Sequence, residues 1–387
     1  MLVRGDNLDV LAALRGDFEA KFRCVYLDPP YNTGRRFREY TDARSAAAWR
    51  EMMRARLAML HPLVAADGAV FVEIDDTELG SLLGVMDEIF GALQRIAIVT
   101  IVRSASTGHK TINRGPVNVT DYLLVYAKDR RAWRPNPLAR TRAGRDAAYG
   151  LYLASDPDAP PSEWVLEPLA SAVAKALGHE GRAAACKAIG REAFERAVTR
   201  FSLDHARRVV RFAQPRYEAV SIEARKLIDR SRAEPDATFV LERPGLKSMI
   251  LRGGNRLLFL ADKVRHVDGV ATIVEPLTNG WDDSPFQGIA RAGGVTFSRN
   301  KKPERLLERV LALSTEPGDW VLDPFLGSGT TTAVAHKMGR RWVGIENGTT
   351  FDELCVPRME RVVQGEDPAG ITRGAGWKGG GGFGVYA

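Results

Sequence analysis

Cysteine is scarce in this chain. Cys24, Cys186 and Cys355 lie far apart and form no CxxC pair, so neither a zinc cluster nor a disulfide framework is supported. A reducing cytoplasm is the simple inference. No stretch reaches the roughly 18 consecutive apolar residues that span a bilayer, so no membrane partner is expected. The opening residues, MLVRGDNLDVLAAL, put acids inside the apolar run and show no small-residue cleavage pattern; no signal peptide is expected. Internal repeats are absent.

What is present is enough for a large core. Hydrophobic residues make up 45% of 387 and charged residues 27%, a balance that argues against disorder. The length suits one large domain with an insertion or a second domain. Lys and Arg number 55 against 48 acids, a net charge of +7, which suits a polyanionic partner.

Residues 1–128 alternate between two periods. Arg23–Leu27, Gly68–Ile74, Ile96–Val102 and Tyr122–Tyr126 are β-rich runs, and Ala48–Leu63 and Thr77–Phe90 have helical spacing. Residues 129–285 change character: Pro and Arg cluster at Arg130–Pro137, Asp156–Pro161 is a turn-rich break, and Ala170–Val198 is Ala-rich and helical. Residues 286–387 return to the first pattern, with a helix over Pro303–Leu313, a strand over Trp320–Leu322, a helix over Gly329–Met338 and a strand over Arg341–Ile345. The expectation is an α/β fold: an open sheet with helices on both faces, split between 1–128 and 286–387 by a mainly helical central insertion.

Asp28-Pro29-Pro30-Tyr31 follows directly on a buried-looking strand. In open α/β sheets, ligands bind outside the carboxyl ends of strands. The two prolines fix φ and remove two backbone donors, so the stretch is rigid and its carbonyls need outside partners. A carboxylate, a stiff carbonyl and an aromatic face within four residues fit an exocyclic amino group. Such a nitrogen is a poor nucleophile because its lone pair is delocalised into the ring. Two acceptors, the Asp28 carboxylate and the Pro29 carbonyl, draw it toward sp³ geometry, and Tyr31 offers a face for a base flipped from a duplex. Asp-Pro-Pro is also good turn chemistry, and that plainer reading stays open.

Asp323-Pro324-Phe325-Leu326-Gly327-Ser328-Gly329-Thr330-Thr331 lies between a strand and a helix. Its glycines permit a tight turn and close approach to a ligand. No Gly-Lys-[Ser/Thr] follows, and Thr332 stands where GxGxxG needs its third glycine; phosphate binding and a Rossmann-type oxidoreductase are disfavoured. The next strand ends in Glu346, either a holder of ribose hydroxyls or a surface acid.

Together these motifs are similar to those of the β-group amino methyltransferases, whose permuted order puts the catalytic motif before the cofactor motif. Asp28–Tyr31 matches DPPY and Asp323–Thr330 matches DPFxGSGT. DPPYNTG, GDNLDVL at Gly5–Leu11, EIDDTEL at Glu73–Leu79, KKPERLL at Lys301–Leu307 and the tail WKGGGGF at Trp377–Phe383 resemble the modification subunits of type III restriction systems and their solitary relatives. The resemblance covers 1–128 and about 286–387. It implies a Rossmann-like, S-adenosylmethionine-dependent DNA methyltransferase, adenine-specific at N6. Asp28, Pro29, Pro30 and Tyr31 would grip the base. Asp323, Phe325, Gly327, Gly329 and Thr330 would line the cofactor and Glu346 would hold its ribose. Asp6 would reach the adenine or simply cap a helix, and Lys302 would pair with the cofactor carboxylate or stay solvated. N4-cytosine methylation and a non-catalytic DNA-binding subunit of the same fold remain as alternatives.

In that family the region between the two halves usually reads the target. Asp204–Arg232 holds eight Lys/Arg against four acids, and Arg207, Arg208 and Arg211 are its candidates for double-stranded DNA; an ordinary amphipathic helix is the competing reading. Arg103–Arg114, with Arg103, His109 and Lys110, is expected as a basic loop over DNA or cofactor, or a plain surface loop. No helicase or nuclease motif is present, so restriction would need a partner subunit; a homodimer is the other partner to consider.

Overall fold

The computed structural model describes residues 1–36, 41–42, 44–103, 116–142, 144–267, 269–283 and 301–387. It divides into two compact units, one of residues 1–138 with 278–387 and one of residues 139–277. Among the described residues no helix is long and apolar enough to cross a membrane.

The first unit is built on a nine-stranded sheet. Its order is Gly280–Trp281, Arg95–Val102, Thr120–Ala127, Val64–Ile74, Phe22–Leu27, Trp320–Asp323, Arg341–Glu346, Leu2–Arg4 and Val385–Tyr386. Thr120–Ala127 is antiparallel to both neighbours and every other pairing is parallel. The strand before Asp28 and the strand before Gly327 are direct partners, Leu322 opposite Val25. The two halves of the sequence therefore complete one sheet.

Burial explains the pattern. Phe22–Leu27 and the Ala69–Ile74 stretch are apolar at almost every position and buried, as strands covered on both faces must be. Val25, Leu27, Val70 and Val72 share a core with Trp49, Met53 and Leu57 of the helix Ala46–Leu60. Ser45 caps that helix by accepting from the Ala48 N–H at 3.2 Å. Cys24 faces the other way, toward Ser314 of the helix Glu304–Ser314. The glycine-rich tail is ordered along the sheet edge: Trp377 Nε1 donates to the Val362 carbonyl at 2.7 Å, and Val385–Tyr386 adds the ninth strand beside Leu2 and Val3.

The second unit corrects the expectation of a mainly helical insertion. Its helices are Leu169–Ala176, Arg182–Ile189, Arg191–Asp204 and Ile222–Ala233. Beside them stand a six-stranded sheet and a three-stranded sheet of antiparallel pairings. Most of these strands are short, and their pairing is set by hairpins such as the one turning at Gly253–Gly254 between Leu246–Arg252 and Asn255–Phe259. The basic stretch Asp204–Arg232 does not form one helix: it contains the strand Val209–Ala213 and most of the helix Ile222–Ala233. Tyr149, Val173, Phe194, Val198 and Val209 form the core of this unit.

Candidate active site

Parallel strands open their carboxyl ends on one edge, and there the sheet gathers its loops. Asp28 follows Phe22–Leu27, the loop beginning at Asp323 follows Trp320, Glu346 ends its strand and Asp6 follows Leu2–Arg4. Asp6, Asp28, Pro30, Lys302, Asp323, Phe325, Gly327, Thr330 and Glu346 line one cavity of about 390 Å³. Of the residues expected at the site, Pro29, Tyr31 and Gly329 stand just outside its lining.

The glycine-rich loop is held from several sides. Gly327 and Gly329 have φ of 55° and 75°, backbone that side chains with a Cβ rarely adopt. The Gly327 N–H donates to Glu346 Oε2 at 2.8 Å, and Glu346 Oε1 accepts from the Asn347 and Gly348 N–H groups at 3.1 and 3.0 Å. The buried Arg358 donates to the Ser328 carbonyl at 3.0 Å and to Thr330 Oγ1 at 2.9 Å. Close approach decides a further position: a Cβ at Gly344 would lie 2.7 Å from Leu326 Cδ2 and from Thr332 Cγ2. Asp323 accepts from the Phe325 N–H at 2.9 Å, and burial raises its carboxyl to about 7.

Asp6 does two things. It caps the helix Asn7–Phe18 by accepting from the Leu8 N–H at 2.9 Å, and it faces the cavity with Arg56 at 3.2 Å. Asn7, beside it, donates to the Pro324 carbonyl at 2.8 Å and so ties this loop to the next.

The Asp28 loop is equally fixed. Trp49 Nε1 donates to the Pro30 carbonyl at 2.7 Å. Asn32, at φ 61°, donates to Glu78 Oε1 at 2.7 Å and accepts from the Arg44 N–H at 2.7 Å. Lys302 arrives from the other half of the chain. Its ammonium lies 3.1 Å from Asp28 Oδ1, 2.5 Å from Tyr31 Oη and 2.9 Å from Glu73 Oε1. An ammonium has three N–H groups, and these three partners occupy them. Lys302, expected beside a cofactor carboxylate, thus lines the shared cavity with its ammonium held by residues of the Asp28 side.

Burial sets the electrostatics here. Desolvation raises Asp28 to about 6, against the opposing pull of Lys302. Lys302 is also penalised by burial, but the Asp28, Glu73 and Asp121 carboxylates outweigh that and hold its ammonium above the ordinary lysine range. Asp121 is raised to about 7 by burial, with Arg103 Nε 3.2 Å away.

A family model described as DNA methylase matches residues 22–355. The chain belongs to the DNA methylase family. Among curated relatives it is 28% identical to the "Probable type III restriction-modification enzyme HindVI Mod subunit" of Haemophilus influenzae, over all of this chain and 53% of that protein. It is 26% identical to the "Type II methyltransferase M.EcaI" of Enterobacter cloacae, over 90% of this chain and 66% of that one. The chain thus spans about half to two thirds of the length of these relatives. A solved structure of M1.HpyAVI with SAM aligns over 93% of this chain and 98% of its own at 13% identity, with a TM-score of 0.44.

The residues expected to meet DNA are placed less simply in this chain. Arg103 pairs with Asp121. His109 and Lys110 lie outside the described residues. In the second unit, Arg207 makes an exposed pair with Asp158 at 2.7 Å, Arg208 donates to Tyr152 Oη at 3.2 Å, and Arg211 lies over the Tyr149 ring at 5.4 Å from its centroid. The sequence reading assigns no role to Tyr26 or Asp121, and meets Glu73 only as the first residue of EIDDTEL. The signal was available for Glu73, a carboxylate near the end of an apolar strand, which must find a cation when buried.

Proposed function

We propose that this chain transfers a methyl group from S-adenosylmethionine to N6 of adenine in double-stranded DNA, acting in the cytoplasm as the modification component of a type III-like system. The observation that carries the reading is the shared edge: the Asp28 and Gly327 loops leave adjacent parallel strands and line one cavity.

The cavity suits a nucleoside without phosphates. Its volume falls in the range of small-molecule sites, Phe325, Leu326 and Ile345 give it apolar wall, and its glycine-rich loop has no phosphate-binding lysine. Glu346 Oε2 receives one backbone N–H and keeps a lone pair for a ribose hydroxyl. When bound, S-adenosylmethionine supplies an electrophilic methyl group. Asp28 accepts one amino N–H of the target base. Trp49 holds the Pro30 carbonyl in place, and the Pro29 carbonyl is the proposed second acceptor. As the nitrogen gains a fourth bond it becomes cationic, and it sheds a proton to Asp28, whose burial has raised its proton affinity. The proton then passes to solvent.

Residues 139–277 are the proposed target-recognition unit. Arg207, Arg208 and Arg211 are its proposed DNA contacts, and Arg103, His109 and Lys110 of the Arg103–Arg114 stretch are the others proposed. The exposed Arg207–Asp158 pair can exchange for a phosphate at little cost, because surface ion pairs contribute only about 0–1 kcal/mol. A restriction subunit is the proposed partner, from the likeness to Mod subunits, and a second copy of the chain is the other proposed one. Methylation-sensitive sequencing of DNA from a host expressing the chain tests the reading. Modified adenines in one sequence context support it, and a methylome identical to that of the parent host refutes it.

A further inference from the structure

Glu73 is wholly buried at the end of the Val64–Ile74 strand, beneath the loop that carries Asp28. Its Oε2 accepts from Tyr26 Oη at 2.5 Å and its Oε1 from Lys302 at 2.9 Å. Tyr26 stands two residues before Asp28, near the end of the strand that Asp28 directly follows. Lys302 is nearly buried and spends its three N–H groups on Glu73, Asp28 and Tyr31. One ammonium thus bridges the residue proposed to bind the base and a carboxylate that no substrate can reach.

A carboxylate buried there for packing alone is costly, since even a compensated buried ion pair is often no better than an apolar pair of similar volume. Its position has a use if it fixes Lys302. Without Glu73 the ammonium has one anchor fewer, and Asp28 Oδ1 and Tyr31 Oη lose a shared, directed donor.

We propose that Glu73 is a positioning residue that acts through Lys302: it anchors the ammonium so that Asp28 and Tyr31 are clamped in the orientation that receives the target amino group. The proposal rests on the methyltransferase reading above. The charge arithmetic follows from the same geometry. Glu73 is a negative neighbour of Asp28, so its loss lets Asp28 ionise at lower pH. Lys302 is a positive neighbour, so its loss makes Asp28 ionise at higher pH.

The test uses the full chain, duplex DNA and S-adenosylmethionine, with kcat followed from pH 5 to 9 and cofactor affinity measured separately. Glu73→Gln is expected to lower kcat at least about tenfold, leave the cofactor Kd within about twofold, and move the acid limb of the profile to lower pH. Lys302→Gln is expected to lower kcat and move the limb to higher pH. Glu73→Asp, which keeps the charge, leaves the limb in place. Because Glu73 acts through Lys302, adding Glu73→Gln to Lys302→Gln costs little more. Acid limbs unmoved in both single variants, or losses that simply add, overturn the proposal. The double variant leaves neither a buried carboxylate at 73 nor a buried ammonium at 302 and covers the case in which a single variant does not fold: at wild-type kcat it, too, overturns the proposal. A wild-type chain that methylates no base removes the parent reading, and this proposal with it; an active wild type with unshifted variants removes this proposal alone.

Discussion

Replacing Glu346 with alanine removes four interactions at once. Three are visible: the bonds from the Gly327, Asn347 and Gly348 N–H groups, at 2.8, 3.1 and 3.0 Å. The fourth is the proposed bond to ribose. A hydrogen bond to a charged group contributes about 1.5–3 kcal/mol, and about 1.4 kcal/mol is tenfold in Kd, so S-adenosylmethionine should bind roughly 10- to 150-fold more weakly. Isothermal titration calorimetry measures this directly. S-adenosylhomocysteine shares the ribose and lacks the methyl group, so it should lose affinity by the same factor. Thermal unfolding of the ligand-free variant reports what the loop itself has lost. The reasoning fails if both ligands keep their affinity within about twofold, or if the loss falls on S-adenosylmethionine alone.

Other consequences concern the base and the loop. Asp28→Ala should reduce kcat by at least about 10²-fold while cofactor affinity stays near wild type in the same calorimetric assay. Activity should fall as pH drops through about 6, where burial has moved Asp28: the ionised form accepts the amino N–H, so the active form lies above that value, and a pH profile of kcat that is flat from 5 to 8 contradicts it. Gly344→Ala puts a methyl group 2.7 Å from Leu326 and Thr332. Overpacking of this kind costs about 1–3 kcal/mol, to be read as a fall in Tm together with weaker cofactor binding.

Much of the first unit is written locally. Arg23–Leu27 and Trp320–Leu322 read as strands because each is a short apolar run ending at an acid and a proline, and their loops carry the chemistry. That the two strands are neighbours follows from a reaction that needs both loops within a few ångströms, and the pairing of Val25 with Leu322 agrees. What the sequence withheld is long-range or weakly periodic. Glu73 and Lys302 are 229 residues apart, and no local pattern joins them. The second unit's three-residue strands are too short for alternation to stand out, so its Ala-rich helices dominated the reading. The run of arginines at Asp204–Arg232 looked like one basic face, yet it crosses a strand and a helix with a turn between.

The decisive question is which atom is methylated. Purified chain, duplex DNA of mixed sequence and S-adenosylmethionine carrying a deuterated methyl group can be incubated together, and the DNA digested to nucleosides for mass spectrometry. The labelled methyl group is expected on N6-methyladenine, and is expected to be absent when Asp28 is replaced by alanine. Label on N4-methylcytosine, or no labelled nucleoside from a chain that binds both cofactor and DNA, would contradict it.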